Sequence, residues 1–384
     1  MIKLSRDIVS NLSSMYLKEI MDGITQKYYI ESKKTVVTIN PFTQQPVSSL
    51  LENGTGTLDT QLVKDLLIST FEDLTARYSD IDKYIKTCRF IFYSNFQINK
   101  ELEREGKPKN NIERAKFRKH YLSVYQNEWI DNILGIHPQY SKSNSDFKRL
   151  IEDVAVKMNQ VNEGVRSILK YEDMDADFRH HLLNQMGIEV CPYCNRQFIT
   201  QYHVGTRLRT TADLDHFYPK SLFSLFSLSL FNFVPSCQIC NSRFKLDKGV
   251  EILNPYQSGF DNEVYFSFSL KTQSTIDTLI GDNSFFDIDL IATGTGSGSV
   301  HIKNGIELFK LRQVYQSHKD YVRELLYKKN TYGKSYRTDL KNLLSELDLS
   351  DKEMNLFQYG FTMEQDDFGK RPLSKLAYDI IYRN

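Results

Sequence analysis

Four of the chain's five cysteines fall in two identical C-x-x-C pairs, Cys191/Cys194 and Cys237/Cys240. That spacing lets two thiolates from one tight turn reach the same tetrahedral ion. Two such turns close a four-sulfur site, the usual structural zinc arrangement. The fold must therefore carry the intervening segment out and back to a common point. That segment holds Asp213-Leu214-Asp215-His216-Phe217-Tyr218-Pro219-Lys220 and Phe231-Asn232-Phe233, and Asn241 follows the last cysteine directly. A structural metal would clamp an insert of residues able to activate water and to hold a hard cation.

The order of these residues resembles the HNH nucleases, whose ββα-metal fold cuts phosphodiester bonds. Asp215-His216 matches the family's Asp-His, Asn232 its central Asn, and Cys237-x-x-Cys240-Asn241 its closing turn, with Asn241 where the family name has its last His. The likeness covers roughly residues 188–255. It implies that His216 is the general base and that Asp215 and Asn241 ligate a catalytic Mg2+ or Mn2+. It further implies that Asn232 holds the Asp-His loop and that the four cysteines hold a structural Zn2+. More loosely, Cys191-Pro192-Tyr193-Cys194-Asn195-Arg196 and the stretch Asn232–Ser242 are similar to PtuB-type nucleases, which pair with an ATPase in the Septu anti-phage system. That likeness implies an ATPase partner and a defence role.

The residues alone carry part of this chemistry. An unperturbed imidazole, with a pKa of ~6.5, is mostly neutral near pH 7 and can accept a proton. In a strand, Asp215 and His216 would point to opposite faces. Oxygen ligands few in number favour magnesium or manganese, with water completing the shell. Asp213 is a candidate supporting carboxylate. A bland alternative is an ordinary surface Asp-His pair.

A length of 384 residues allows two or three domains of ~100–200 residues and an ample core. The net charge of +1 excludes a polycation, so nucleic acid, with DNA the expected form, must be held by a local patch. From Cys191 to Val250 seven basic residues stand against three acidic ones, a surplus of four. Arg196, Lys220, Arg243 and Lys245 are the candidate phosphate contacts, with ordinary surface charge as the alternative. The first residues show no apolar run, and no stretch approaches ~18 consecutive apolar residues, so the expectation is a cytoplasmic chain with no membrane contact. There, paired cysteines act as metal ligands rather than disulfides. Cys88 reads as a buried small residue.

The pattern predicts an α+β chain, mostly helical, with a central zinc-clamped ββα-metal module and a small β-hairpin region after it. Residues 1–187 read as a mainly helical region, 188–255 as the metal module, and 256–384 as strands followed by helices. Leu62, Val63, Leu66, Leu67 and Phe71 recur at helical spacing, as do Leu150, Ile151, Val154, Met158 and Val161. Polar breaks fall at 52–57 and 105–110, and Thr35–Pro41 reads as a strand. Asp173–Gly187 reads as a helix delivering the chain to Cys191. Ser221–Phe231 suits a half-buried strand or an apolar loop packed on a neighbour. Farther on, Val264–Leu270 alternates as a strand, and Phe285–Leu290 and Ser299–Lys303 flank a Gly-rich hairpin tip that lacks a phosphate-loop ending. Asn304–Asn330 reads as one long helix and Pro372–Tyr382 as a last amphipathic one.

Three functions fit: a metal-dependent endonuclease; a zinc-stabilised nucleic-acid or protein adaptor without chemistry; or the same nuclease held silent by a partner docked on the flanks.

Overall fold

The computed structural model describes residues 1–101, 111–294, 297–345, 349–361 and 364–383. It is a mixed α+β chain with small antiparallel strand pairs and a four-cysteine cluster. Helices come first: α1 (Asp7–Ser32), α2 (Thr60–Ile68), α3 (Phe71–Arg77), α4 (Ser79–Glu101), α5 (Asn111–Tyr125), α6 (Glu128–Ile136), α7 (Asn144–Arg166) and α8 (Ala176–Gln185). Their starts are locally encoded. The carboxylate of Asp59 accepts from the Gln61 and Leu62 N–H groups at the head of α2, Thr70 caps α3 and Ser143 caps α7. Helix α7 buries Leu150, Ile151, Val154, Met158 and Val161 on one face, as their spacing predicts, and packs on α4.

Three two-stranded antiparallel ladders follow. They are β1 (Gln201–Val204) with β2 (Arg207–Thr210), β3 (Ala212–His216) with β4 (Phe233–Cys237), and β5 (Val264–Leu270) with β6 (Phe286–Ala292). A short α9 (Ile276–Leu279) lies between β5 and β6, and the chain ends in α10 (Ser297–Leu308), α11 (Leu311–Val314), α12 (Lys319–Thr331), α13 (Lys334–Leu343), α14 (Asp351–Tyr359) and α15 (Ser374–Tyr382). Among the described residues no helix is long and apolar enough to cross a membrane.

Several expectations need correction. Thr35–Pro41 makes only an isolated bridge, Ile39 to Pro46, and Val36 is 84% exposed. Two prolines, Pro41 and Pro46, withhold donors from any ladder there. Ser299–Lys303 is not a strand but part of α10, where Ile302 and Ile306 are buried at helical spacing, with the buried Phe309 just past the helix end. The partner of β5 is β6, and their connection is residues 271–285 rather than the Gly-rich stretch, whose residues 295 and 296 lie outside the described set, as does the polar break at 105–110. The long helix expected over 304–330 is broken at Lys310, whose φ of +50° is left-handed, into α10, α11 and α12. The helix before Cys191 starts later, at Ala176, and ends before Gly187, which takes φ +63°.

Residues 217–231 form an apolar loop of short 3-10 turns between β3 and β4 rather than a strand, and all but Lys220, Ser221 and Leu222 are buried. Three N-terminal helices hold this loop by its backbone. Tyr16 on α1 donates its hydroxyl to Leu228 O at 2.7 Å, and Asn162 on α7 donates to Leu222 O at 2.7 Å. Arg166 reaches Ser221 O at 3.0 Å, and the buried Cys88 thiol on α4 donates to Leu222 O at 3.2 Å. The core is accordingly one contiguous apolar cluster with residues from α1 through α15.

The segment after the second cysteine turn is pressed onto α4. A Cβ on Gly249 would lie 1.6 Å from the Phe92 carbonyl oxygen. Replacing glycine by alanine often stabilises a chain by restricting its unfolded state. Here Gly249→Ala is expected to destabilise by about 2 kcal/mol or more through forced separation of the two segments. Thermal unfolding checks it, and an unchanged or raised Tm contradicts that close approach.

Candidate metal centre and catalytic cleft

The four cysteine sulfurs lie within 4.8 Å of one another, all buried, and none is in a disulfide. A tetrahedral ion with metal–sulfur bonds of ~2.3 Å requires sulfurs ~3.8 Å apart, so the cluster is compatible with a structural metal such as zinc. The first turn is shaped by its own backbone. Asn195 N–H donates to Cys191 O at 2.8 Å, Cys191 N–H to Gln197 O at 3.0 Å, and Arg196 N–H to Cys194 Sγ at 3.4 Å. Distant segments are tied to it. Ile2 N–H donates to Pro192 O, the Tyr315 hydroxyl to Cys194 O, and Leu373 N–H to Asn195 O, each at 2.7 Å.

The chain reaches Cys237 along β4, whose register sets the site. Asp213 faces Ser236, Asp215 faces Val234, and His216 faces Phe233. Strand alternation puts Asp213 and Asp215 on one face and His216 on the other, as their adjacency predicts. Asp215 is only 5% exposed and has two donors. Tyr193 gives its hydroxyl to Oδ2 at 2.6 Å, and Lys245 gives its ammonium to Oδ1 at 3.0 Å and to the His216 carbonyl at 2.7 Å. Burial pushes the Asp215 carboxyl above the ordinary carboxylate range, against the pull of the Lys245 charge.

His216 is fixed by one contact of known polarity. Its Nε2 lies 2.9 Å from Ser227 O. A carbonyl only accepts, so Nε2 carries the proton and Nδ1 is left with the free lone pair. Burial lowers the imidazole pKa to about 4, partly opposed by this bond, so the ring is neutral near pH 7. The edges of Tyr171 and Phe233 enclose it, with ring centroids at 4.6 and 5.1 Å.

Asn232 is fully buried at the end of a 3-10 turn just before β4, not on the strand itself. Its Oδ1 accepts Tyr218 N–H at 2.8 Å, and its Nδ2 donates to Tyr218 O and Phe226 O, both at 3.0 Å. It thereby fastens the loop that follows His216. Asn241 sits in the helical turn Cys240–Lys245 and donates Nδ2 to Asp213 Oδ2 at 3.0 Å.

One cleft of about 290 Å³ is lined by Asp215, His216, Asn241 and Lys245 together with Lys220 and Asp247. In kind, the donors suit a hard cation. A carboxylate oxygen retains a lone pair beyond one hydrogen bond, and the Asn241 side chain offers an amide oxygen. Of the four candidate phosphate contacts, Arg243 is exposed. The other three have internal partners. Arg196 donates to His318 Nε2 at 3.0 Å, Lys220 pairs with Glu172 while lying 4.6 Å from the Tyr171 ring centroid, and Lys245 is buried on Asp215. Lys245 is therefore a group of the cleft interior rather than a surface contact. Tyr193 and Tyr171 are not among the candidate site residues of the sequence pattern. Tyr193 had one signal, its place between Cys191 and Cys194, inside whatever the cysteines enclose.

The chain matches no protein-family profile, no curated protein and no solved structure.

Elemental analysis of the purified chain is expected to give one zinc per chain, and Cys240→Ser to release it and loosen the β3–β4 hairpin. A wild-type value well below one zinc per chain contradicts the four-sulfur assignment.

Proposed function

We propose that this chain is a metal-dependent HNH endonuclease that hydrolyses phosphodiester bonds of nucleic acid, DNA in the first instance, and acts as an effector of anti-phage defence with an ATPase as partner. The observation that carries the reading is a neutral His216, held through Nε2 on Ser227 O, sharing one cleft with Asp215 and Asn241. The defence role and the ATPase rest on the looser likeness to PtuB-type nucleases.

In this reading the Nδ1 lone pair of His216 takes a proton from a water molecule. The water oxygen bonds to phosphorus, the bond to the 3′ oxygen breaks, and that oxygen takes a proton from solvent. Asp215 and Asn241 would hold Mg2+ or Mn2+, which stabilises charge on the phosphoryl and leaving oxygens. The Ser227 carbonyl keeps the imidazole in its reactive tautomer, and Asn232 keeps the loop from sagging away from the strand. The rings of Tyr171 and Phe233 pack on the imidazole, and its burial keeps it uncharged.

A second reading, a zinc-stabilised adaptor without chemistry, draws support from the Lys245 ammonium on Asp215 and from the internal pairing of Arg196 and Lys220. A cleavage assay separates the two. With Mg2+ or Mn2+ the full chain is expected to cut plasmid DNA, EDTA to stop it, and His216→Ala to slow it by ~10²–10⁴ while the zinc content is kept. Undiminished cutting by that variant rules out the assigned base, and an uncut plasmid under every metal condition favours the adaptor.

A further inference from the structure

Lys245 is among the most deeply buried cations of the chain, and it is placed by two bonds rather than one. Its ammonium lies 3.0 Å from Asp215 Oδ1 and 2.7 Å from the His216 carbonyl oxygen, with its side chain 5% exposed. The backbone that delivers it is unusual twice over. Residues Cys240–Lys245 form a π-type turn, closed by Leu246 N–H on Asn241 O at 2.9 Å. Such single turns are rare and recur at functional sites. Leu246 then takes φ +48° and ψ −144°, a region in which L side chains rarely rest, and it leaves its apolar side chain half exposed. No burial of Leu246 accounts for that conformation. It follows directly on the inward-reaching Lys245.

We propose that Lys245 is a tethered counter-ion that holds Asp215 closed to a divalent cation, and that the cation binds as the Lys245–Leu246 segment swings the ammonium out of the cleft. The inference rests on the reading of Asp215 and Asn241 as the ion's ligands. A divalent ion at ~2.1 Å from a carboxylate oxygen would face the ammonium at close range in a site with little water. Like charges so placed repel strongly, so the two cations compete for one carboxylate. Strain at Leu246 belongs to the closed arrangement and is relieved when the segment moves, which keeps the two states close in free energy. Metal affinity then depends on a lysine that touches no substrate, and the hinge is a surface from which a partner could set the balance.

Mn2+ binding to the zinc-loaded full chain, titrated by electron paramagnetic resonance, tests this without reference to cleavage. Lys245→Met is expected to bind Mn2+ about tenfold or more tightly than the wild type. Leu246→Gly, which lets the backbone rest in the closed geometry, is expected to bind about fivefold more weakly. Asp215→Asn is expected to lose the site in either background. Should Lys245→Met lose zinc or helical signal, Lys245→Gln keeps a donor to Asp215 without the charge and carries the same expectation. Equal or weaker binding by the folded Lys245 variant overturns the proposal, as does an absence of Mn2+ binding in every variant. Failure of the nuclease reading is seen separately, as uncut nucleic acid at saturating Mn2+ with the affinity ranking intact.

Discussion

The four-sulfur cluster is the joint on which the structure turns. Four thiol groups gathered in a buried space gain little from one another, and their spacing is compatible with a structural metal ion that would make the convergence favourable. The first cysteine turn also receives the N-terminal segment at Pro192, Tyr315 at Cys194, and the start of α15 at Asn195. The second turn closes β4 and opens the turn that carries Asn241 and Lys245. Loss of this cluster would therefore loosen both termini and the cleft together.

The cleft is built to be dry on one side and pinned on the other. Burial keeps His216 uncharged and raises Asp215, while Tyr193 and Lys245 compensate the carboxylate from within. The loop behind His216 is not a free connection. It is held by α1, α4 and α7 through Tyr16, Cys88 and Asn162, and Arg89 on α4 donates to the Tyr218 hydroxyl at 2.8 Å. The N-terminal helices thus build the rear wall of the site.

Much of this arrangement was legible in the residues. Cysteine spacing alone anticipated the cluster, because two short turns and four soft ligands admit few other uses. Strand alternation anticipated Asp215 and His216 on opposite faces, and helical spacing anticipated α2 and α7. What stayed hidden depends on contacts distant in sequence. Nothing local marks Lys245 as buried, since its partner lies thirty positions earlier on another element. Thr35–Pro41 has strand composition yet finds no partner, and pairing is a property of two segments rather than one. The break at Lys310 comes from a left-handed residue that carries no glycine signature.

The central claim is that a water activated at His216 attacks phosphorus and expels the 3′ oxygen. Cleavage of a defined DNA duplex in water enriched in oxygen-18, with the termini read by mass spectrometry, tests it most directly. The account predicts a single labelled oxygen on a 5′-phosphate end and an unlabelled 3′-hydroxyl on the other. Label on a 3′-phosphate, or termini without label, would contradict it.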